Sequence, residues 1–560
     1  MEPNLSRRAL LQWLTALGAV AVGCDDDAPA APVDASAPTD GATDATTDTA
    51  PTPDVTEPVD APDEGWRAIA ASAEPEPDPR FAHGVASGDP LPDAVVIWTR
   101  VSPDATATAP VDVTWQIADD PAFTMNMREG MARTDATRDW TVKVDVTGLM
   151  AGRTYYYRFR ALGAASLVGR TRTAPRGATA RLRFAVVSCS SYAHGYFQAY
   201  RMVARQPDLD AVIHLGDYIY EYATGRYGNV RPYDPPNEIV TLDDYRRRYR
   251  HYHRDADLRA MHRQHPIIPV WDDHEFADNA YSGGAENHMP MTEGMWAARK
   301  AAAQRAWWEW MPVRDTMDGR IWRSLSYGDL VDLVMLDTRM WGRAEQGTVV
   351  DGGIDDPRRV LKGMDQERWF FDTVRNSRAR WKIIGQQVMM AQLVQFVNTD
   401  QWDGYPEARA RFFGLLREMG VGNVVVLTGD IHTSWANDLA ETPRNAATYD
   451  PASGRGSLAV EFVVPGISSP GFPAVLASLA DQVRAEAPHM KYVDLTHRGF
   501  GLLDITPDRV QCAWHHLDDV IRAEARTRFA AAFSVANGRP HLTRDETPVA
   551  PRTDTAALAP

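Results

Sequence analysis

Four short segments carry the side chains in this sequence that can do chemistry. The first is His214-Leu215-Gly216-Asp217-Tyr218-Ile219-Tyr220, which follows the apolar run Ala211-Val212-Ile213. That run reads as a buried strand, and Gly-Asp at its end releases a carboxylate at the strand's C-terminal lip. Open α/β sheets place their ligands at such lips. A carboxylate there can bridge two cations, and Tyr220 can add a phenolate. Hard oxygen donors of this kind suit iron(III), calcium, magnesium or manganese. The other segments are Ser188-Cys189-Ser190, Trp271-Asp272-Asp273-His274-Glu275 and Gly429-Asp430-Ile431-His432. Together they point to metal-dependent phosphate-ester chemistry.

Each piece has a plainer reading when taken alone. Cys189 ends a strand that starts at Leu182 and could be a small buried hydrophobe or a thiolate ligand. Asp273 can ligate a cation while His274 faces substrate and moves a proton, yet an Asp-rich turn or helix cap looks the same. Asn279 offers an amide oxygen that calcium accepts. Arg339, just past the apolar run 330–336, can grip a phosphate with two N–H groups or simply be a solvated loop residue. Asp430 and His432 lie two apart and share one side of an extended segment. Carboxylate, thiol or imidazole at four successive strand ends is a far stronger signal than any one of them.

The surroundings supply strands and helices to hold these ends. Segments at 182–189, 211–213, 267–271, 330–339, 381–387 and 423–432 read as strands, with a helix at 198–206 between the first two. Residues 243–264 are helical in pattern. The basic run Arg246 to Arg254, with His251 and His253, reads as a solvated helix face rather than a nucleic-acid or metal site. A helix over 293–311, closed by Pro312, carries Trp296, Trp307, Trp308 and Trp310 and should pack on a sheet or a neighbouring domain.

Length and charge bound the rest. A chain of 560 residues, 44% apolar and 9% aromatic, should hold more than one globular domain. The net charge of −16 argues against a phosphate-backbone binder, so no nucleic-acid-binding domain is expected. Three cysteines imply no disulfide framework.

Residues 1–24 read as an export signal: Arg7-Arg8 resembles the twin-arginine signal, and Ala21-Val22-Gly23-Cys24 resembles a lipobox. The expected location is therefore extracytoplasmic, periplasmic or at the cell surface, with lipid attachment at Cys24. Residues 25–78 are acidic and rich in Pro, Ala and Thr, a composition that should leave them extended and disordered. Residues 79–175 show short alternating strands and turns, as in a β-sandwich. Within them, 149–159 resembles the tyrosine corner of fibronectin type III-like domains. Residues 180–533 should form the catalytic domain, ending in a helix over 519–533, and residues 534–560 a disordered tail.

From about Phe81 to Trp514 the chain resembles the PhoD-type alkaline phosphatases of the calcineurin-like metallophosphoesterase superfamily. The matching motifs are Ser188-Cys189-Ser190, Gly216-Asp217-Tyr218-Ile219-Tyr220-Glu221, Trp271-Asp272-Asp273-His274-Glu275, Leu336-Asp337-Thr338-Arg339 and Gly429-Asp430-Ile431-His432. The resemblance implies an α/β protein with a four-layer α-β-β-α core behind a small all-β sandwich. It implies iron(III) held by Cys189, Asp217, Tyr220 and His432. It also implies calcium held by Asp217, Asp273, Asn279 and Asp430, with Arg339 on the phosphate and His274 stabilising charge. The nucleophile would be a cation-bound oxygen, and the role phosphate scavenging by a monomer. Gly-Asp-x-x-Tyr also resembles purple acid phosphatases. The superfamily more often has Gly-Asn-His-Glu and Gly-His-x-His. Here Asp273 and Asp430 stand at an Asn and a His position, which pushes the second site toward calcium.

Three outcomes remain at this level: a phosphomonoesterase, a phosphodiesterase (including a phospholipase D-like one) on the same fold, or a surface lipoprotein that binds metal or ligand without turnover. Asp217→Asn is expected to abolish both the metal at this centre and the activity. Metal analysis alongside phosphate release checks this, and a variant that stays loaded and active would overturn the assignment.

Overall fold

Apolar strands that are buried on both faces pair in parallel and need helices to cover them. The run Leu182–Val187 pairs in parallel with Ala211–His214, which pairs in parallel with Pro266–Pro269. A second parallel set joins Val331–Met335, Trp381–Gln386, Val424–Thr428 and Ser457–Val463. The computed structural model describes residues 65–347, 353–393 and 398–560. It divides into a unit Arg67–Pro560 and a unit Met1–Trp66, and of the latter only Gly65 and Trp66 are described. The export signal, Cys24 and the linker up to residue 64 lie outside the described residues. Among the described residues no helix is long and apolar enough to cross a membrane.

The two parallel sets belong to an eleven-stranded and a seven-stranded sheet that face each other. Phe184 meets Tyr327 edge-on at 5.1 Å, and Trp514 meets Phe462 at 5.8 Å. Indole N–H groups close the gap: Trp381 donates to the Thr506 carbonyl and Trp514 to the Val463 carbonyl, at 2.8 and 2.9 Å. Each large apolar side chain buried this way contributes roughly 1.5–3 kcal/mol. Residues that follow strands of both sheets, among them Cys189, Asp217, Asp273, Arg339 and Asp430, come together at one rim.

The segment 79–175 does build a two-sheet β layer around Phe81, Val95, Val113, Trp140, Tyr157 and Phe159. Its tyrosine corner is present, with the Met150 N–H donating to the Tyr155 hydroxyl at 2.8 Å. It is not a detached domain, however. Val85–Gly88 pairs in parallel with Pro266–Pro269, so one of its sheets is the continuation of the catalytic sheet. The tryptophan-bearing helix, Trp296–Trp310, packs where expected: Trp98 donates to the Glu309 carbonyl at 2.8 Å.

Three expectations are corrected. No helix forms at 519–533; Arg526–Ala536 is a strand beside Arg509–Leu517, held by pairing that runs from Thr527 to Ala536. Residues 534–560 are not a loose tail. Arg539–Asp545 adds a further strand, and the last residues are tied down, with Gln264 exchanging bonds with Ala559 at 2.8 and 3.0 Å. Within 25–78, Arg67–Ala68 pairs with Thr527 and Arg526, and Glu74 holds Arg263 at 2.8 Å. Low local hydrophobicity hid these segments because their partners are distant in sequence.

The basic helix Leu242–Tyr252 also turns inward. Arg248 is fully buried and donates to the carbonyls of Tyr220, Tyr222, Pro235 and Asn237, fixing the loop that follows Asp217. His253 and His262 both meet the Tyr218 hydroxyl, at 2.9 and 2.8 Å. His214 meets Tyr200 at 2.7 Å. Burial holds His214, His262 and His265 neutral, each with its pKa pushed down to about 3. A depressed histidine pKa gives stability that is present above the unfolded value near 6.5 and lost as pH falls. Urea midpoints measured against pH are expected to drop below about pH 6.5, by up to about 1.4 kcal/mol per pH unit for each such histidine. A midpoint that stays flat from pH 7 to 4 would refute this.

Candidate metal centre

Strand ends from both sheets converge at the shared rim. Cys189, Asp217 and His432 come together, with one ligating atom of each within 4.8 Å of the others. The Tyr220 hydroxyl lies 2.9 Å from Asp217 Oδ2 and 3.1 Å from His432 Nε2, completing the four-residue set expected for iron. Ser469 donates to Tyr220 at 2.7 Å, and the His432 Nδ1 side is held 2.9 Å from the Pro470 carbonyl. Asp217 is shared with a second group, Asp217-Asp273-His274, and a third group joins Asp272, Asp273 and Asp430. Asn279 is tied in by its backbone: its N–H donates to Asp273 Oδ2 at 2.7 Å, while its side-chain amide donates to Glu286.

The backbone is bent to aim these groups. Cys189, Asp217, Asn279, Asp430 and His432 have φ of 60°, 55°, 51°, 63° and 58°, five of the twelve non-glycine residues with positive φ in the described chain. Each left-handed residue costs roughly 1–2 kcal/mol, so their concentration at one point marks a site rather than chance. Gly216 is required beside Asp217. Its φ is +106°, and a Cβ there would sit 2.4 Å from Asp272 Cβ.

Arg339 occupies the centre of the acids. It is fully buried, and its guanidinium meets Asp272 at 2.5 Å, Asp400 and Asp430 at 2.7 Å and Asp273 at 3.2 Å. Arg343 also meets Asp400, at 2.6 Å. Four carboxylates therefore face two guanidinium groups. Burial raises the Asp430 carboxyl to about 7 and, helped by the Asp217 charge, Glu275 to about 8. Asp273 goes the other way, to about 2, because Arg339 and His274 outweigh its burial. His274 is also buried, but Glu221 at 2.8 Å and the nearby Asp273 and Asp217 hold it well above the ordinary imidazole range. Burial and the Asp217 charge push the Cys189 thiol and the Tyr220 phenol up, so both ionise only against a cation.

The residues fit a metal centre on these grounds. The donors are those of a hard and borderline cation pair, the acids outnumber their counter-charges, and the buried Asp272 Oδ2 has no partner among the described residues.

Several contributors were not singled out in the sequence. Glu275 accepts the N–H groups of Asp217, Tyr218 and Asp272 at 3.1, 2.6 and 2.7 Å and so clamps two ligand loops together. Gln387 stitches the sheets: its amide donates to the Trp271 and Leu336 carbonyls and accepts from Thr338. Asp400 carries no local motif. Glu275 lies inside the Trp271–Glu275 motif but without an assigned role, the strand ending in Gln387 is a weak signal, and Asp400 has none.

Two facing sheets with acid, thiol and imidazole groups gathered at their common rim are the arrangement of a metal-dependent hydrolase of phosphate esters. Comparison with known proteins narrows this. The family model described as PhoD-like phosphatase matches residues 184–514, and that of the PhoD-like phosphatase N-terminal domain matches 67–175. The chain is 35% identical over 481 residues to alkaline phosphatase D of Bacillus subtilis (strain 168), covering 81% of this chain and 80% of the relative. A solved structure described as PhoD superposes with a TM-score of 0.77 at 33% identity, covering 86% of this chain and 94% of the other. The chain belongs to the PhoD-like phosphatase family and is a phosphoric ester hydrolase.

Removing Arg339 isolates its role as counter-charge. In metal-stripped protein, Arg339→Met is expected to lower the unfolding free energy by about 3–5 kcal/mol, the usual cost of orphaning buried carboxylates. Added calcium should restore part of the loss. Equal urea midpoints for the variant and the wild type would refute it.

Proposed function

We propose that the chain is an alkaline phosphatase that hydrolyses phosphate monoesters at an iron(III)–calcium centre, outside the cytoplasm. The observation that carries this is the sharing of Asp217 between two ligand groups, with thiol, phenol and imidazole on one side and carboxylates on the other. On this reading Cys189, Asp217, Tyr220 and His432 hold the iron. Asp217, Asp273, Asn279 and Asp430 hold calcium, and the core is the four-layer α-β-β-α arrangement of metallophosphoesterases.

Bound cations supply charge neutralisation on the phosphate and a nucleophile that ionises at lower pH than bulk water. The chain's own residues do the rest. His274, kept cationic by Glu221 and stacked on Tyr220 with ring centroids 4.3 Å apart, presents an N–H to the phosphoryl or leaving oxygen. Arg339 has its N–H groups committed to four carboxylates. Arg339 Nη2 is held by Asp273 and Asp430; if these two carboxylates held calcium instead, Nη2 would be free to meet a phosphate. The substrate grip expected of Arg339 is thus linked to metal loading. The twin-arginine export signal, lipid attachment at Cys24, a monomeric state and a phosphate-ester partner complete the proposal and rest on the sequence.

The deciding experiment follows phosphate release from a simple monoester alongside turnover of a matched diester, with metal-loaded protein and added calcium across pH 6–10. Faster monoester turnover that rises toward alkaline pH and is lost on chelation is expected. Faster diester turnover would overturn the monoesterase reading, and no turnover with both metals bound would overturn catalysis itself. His274→Asn should cost about 10²–10⁴-fold in kcat with metal content retained.

A further inference from the structure

A second group of metal-ligating side chains lies apart from the centre described above and shares no residue with it. Asp494 ends the strand Met490–Asp494, His497 follows in the next turn, and His516 comes from the strand Arg509–Leu517. One ligating atom of each lies within 4.8 Å of the others. Asp494 Oδ2 is 2.9 Å from His497 Nδ1 and 3.7 Å from His516 Nδ1. Metal–ligand bonds of 2.0–2.1 Å in a tetrahedron put ligand atoms about 3.3 Å apart, between these two distances.

The independent observation is His516. It is fully buried, and its Nδ1 has no hydrogen-bond partner among the described residues. The 3.7 Å to the Asp494 carboxylate is beyond hydrogen-bond reach. Its other nitrogen, Nε2, is fixed 3.0 Å from the Ser434 hydroxyl. A ring held by one nitrogen with the other aimed, unpaired, at a carboxylate is how a ligating histidine is presented. Asp494 is prepared likewise. Its Oδ1 accepts the N–H groups of Thr496 and His497, both at 3.0 Å, which turns Oδ2 toward the two rings. Burial keeps His516 neutral, with its pKa pushed down to about 3, so a lone pair is available near neutral pH.

We propose that Asp494, His497 and His516 form a separate binding site for a first-row transition cation of the zinc(II) type. Two imidazoles and one carboxylate with a solvent ligand make a common set for that ion. Asp494 and His497 are partly exposed, which gives the ion an entry and the solvent ligand a place. The cation displaces the proton that His497 Nδ1 now shares with Asp494. It also pins Ser434, which starts the strand Ser434–Ala440 two residues beyond His432, to Asp494 at the end of the strand that pairs with it.

The test uses full-length protein carrying Asp217→Asn, which disables the hydrolytic centre, with and without His497→Gln. Cobalt(II) is the spectroscopic probe and zinc(II) the competitor. The Asp217→Asn protein is expected to bind one more equivalent of cobalt than the double variant, with visible d–d absorption that zinc removes. Zinc should raise its unfolding midpoint and leave that of the double variant unchanged. His516→Gln should behave as His497→Gln does; because His497 is the more exposed ring, its variant serves if the His516 variant fails to fold. Identical cobalt stoichiometry and spectra with and without His497 would overturn the proposal and leave the three residues as a hydrogen-bonded trio.

Discussion

Negative charge that has been taken out of water governs this molecule. Asp217, Asp272, Asp273, Asp400 and Asp430 are gathered at one buried rim, and Arg339 is the one guanidinium that reaches four of them. Such a cluster is tolerable only when cations complete it, and that requirement explains features that otherwise look wasteful. The left-handed backbone at five ligand positions and the carboxyls raised by burial oppose folding of the empty protein, and the buried arginine offsets part of that cost. A rigid frame must hold them.

The frame is built from buried polar groups that each serve several elements. Glu275 gathers three N–H groups from two loops, Gln387 joins the two sheets, and Arg248 collects four carbonyls behind Tyr220. Each leaves several backbone groups unsatisfied if removed, so their loss acts on the geometry of the centre as much as on stability. The metal ligands are positioned by the backbone, and the backbone by these three side chains.

Much of the centre was legible because its signals are local. A strand ending in Gly216-Asp217 or Gly429-Asp430 exposes its carboxylate whatever the rest of the chain does, and the family resemblance assembled those ends into one site. What stayed hidden depended on long-range partners. Asp400 sits in no motif. Nothing nearby in sequence announces the four acids around Arg339. The basic helix looked solvated because Arg248 is satisfied by carbonyls, which leave no trace in residue type. The strand Arg526–Ala536, rich in alanine, carries a helix-like composition and becomes a strand by pairing with Arg509–Leu517.

The shared sheet has a consequence for how the chain is made. Val85–Gly88 finds its parallel neighbour only in Pro266–Pro269, about 180 residues later, and Arg67–Ala68 waits for Arg526 and Thr527. A ribosome delivering this protein therefore leaves the Val85–Gly88 edge unpaired on one side for about a third of the synthesis, the kind of edge that recruits other chains. The N-terminal segment cannot fold first and wait as a finished module. Its last neighbours arrive with the catalytic domain, so the two mature together or not at all, and a chaperone that shields the open edge has its longest task between those two events.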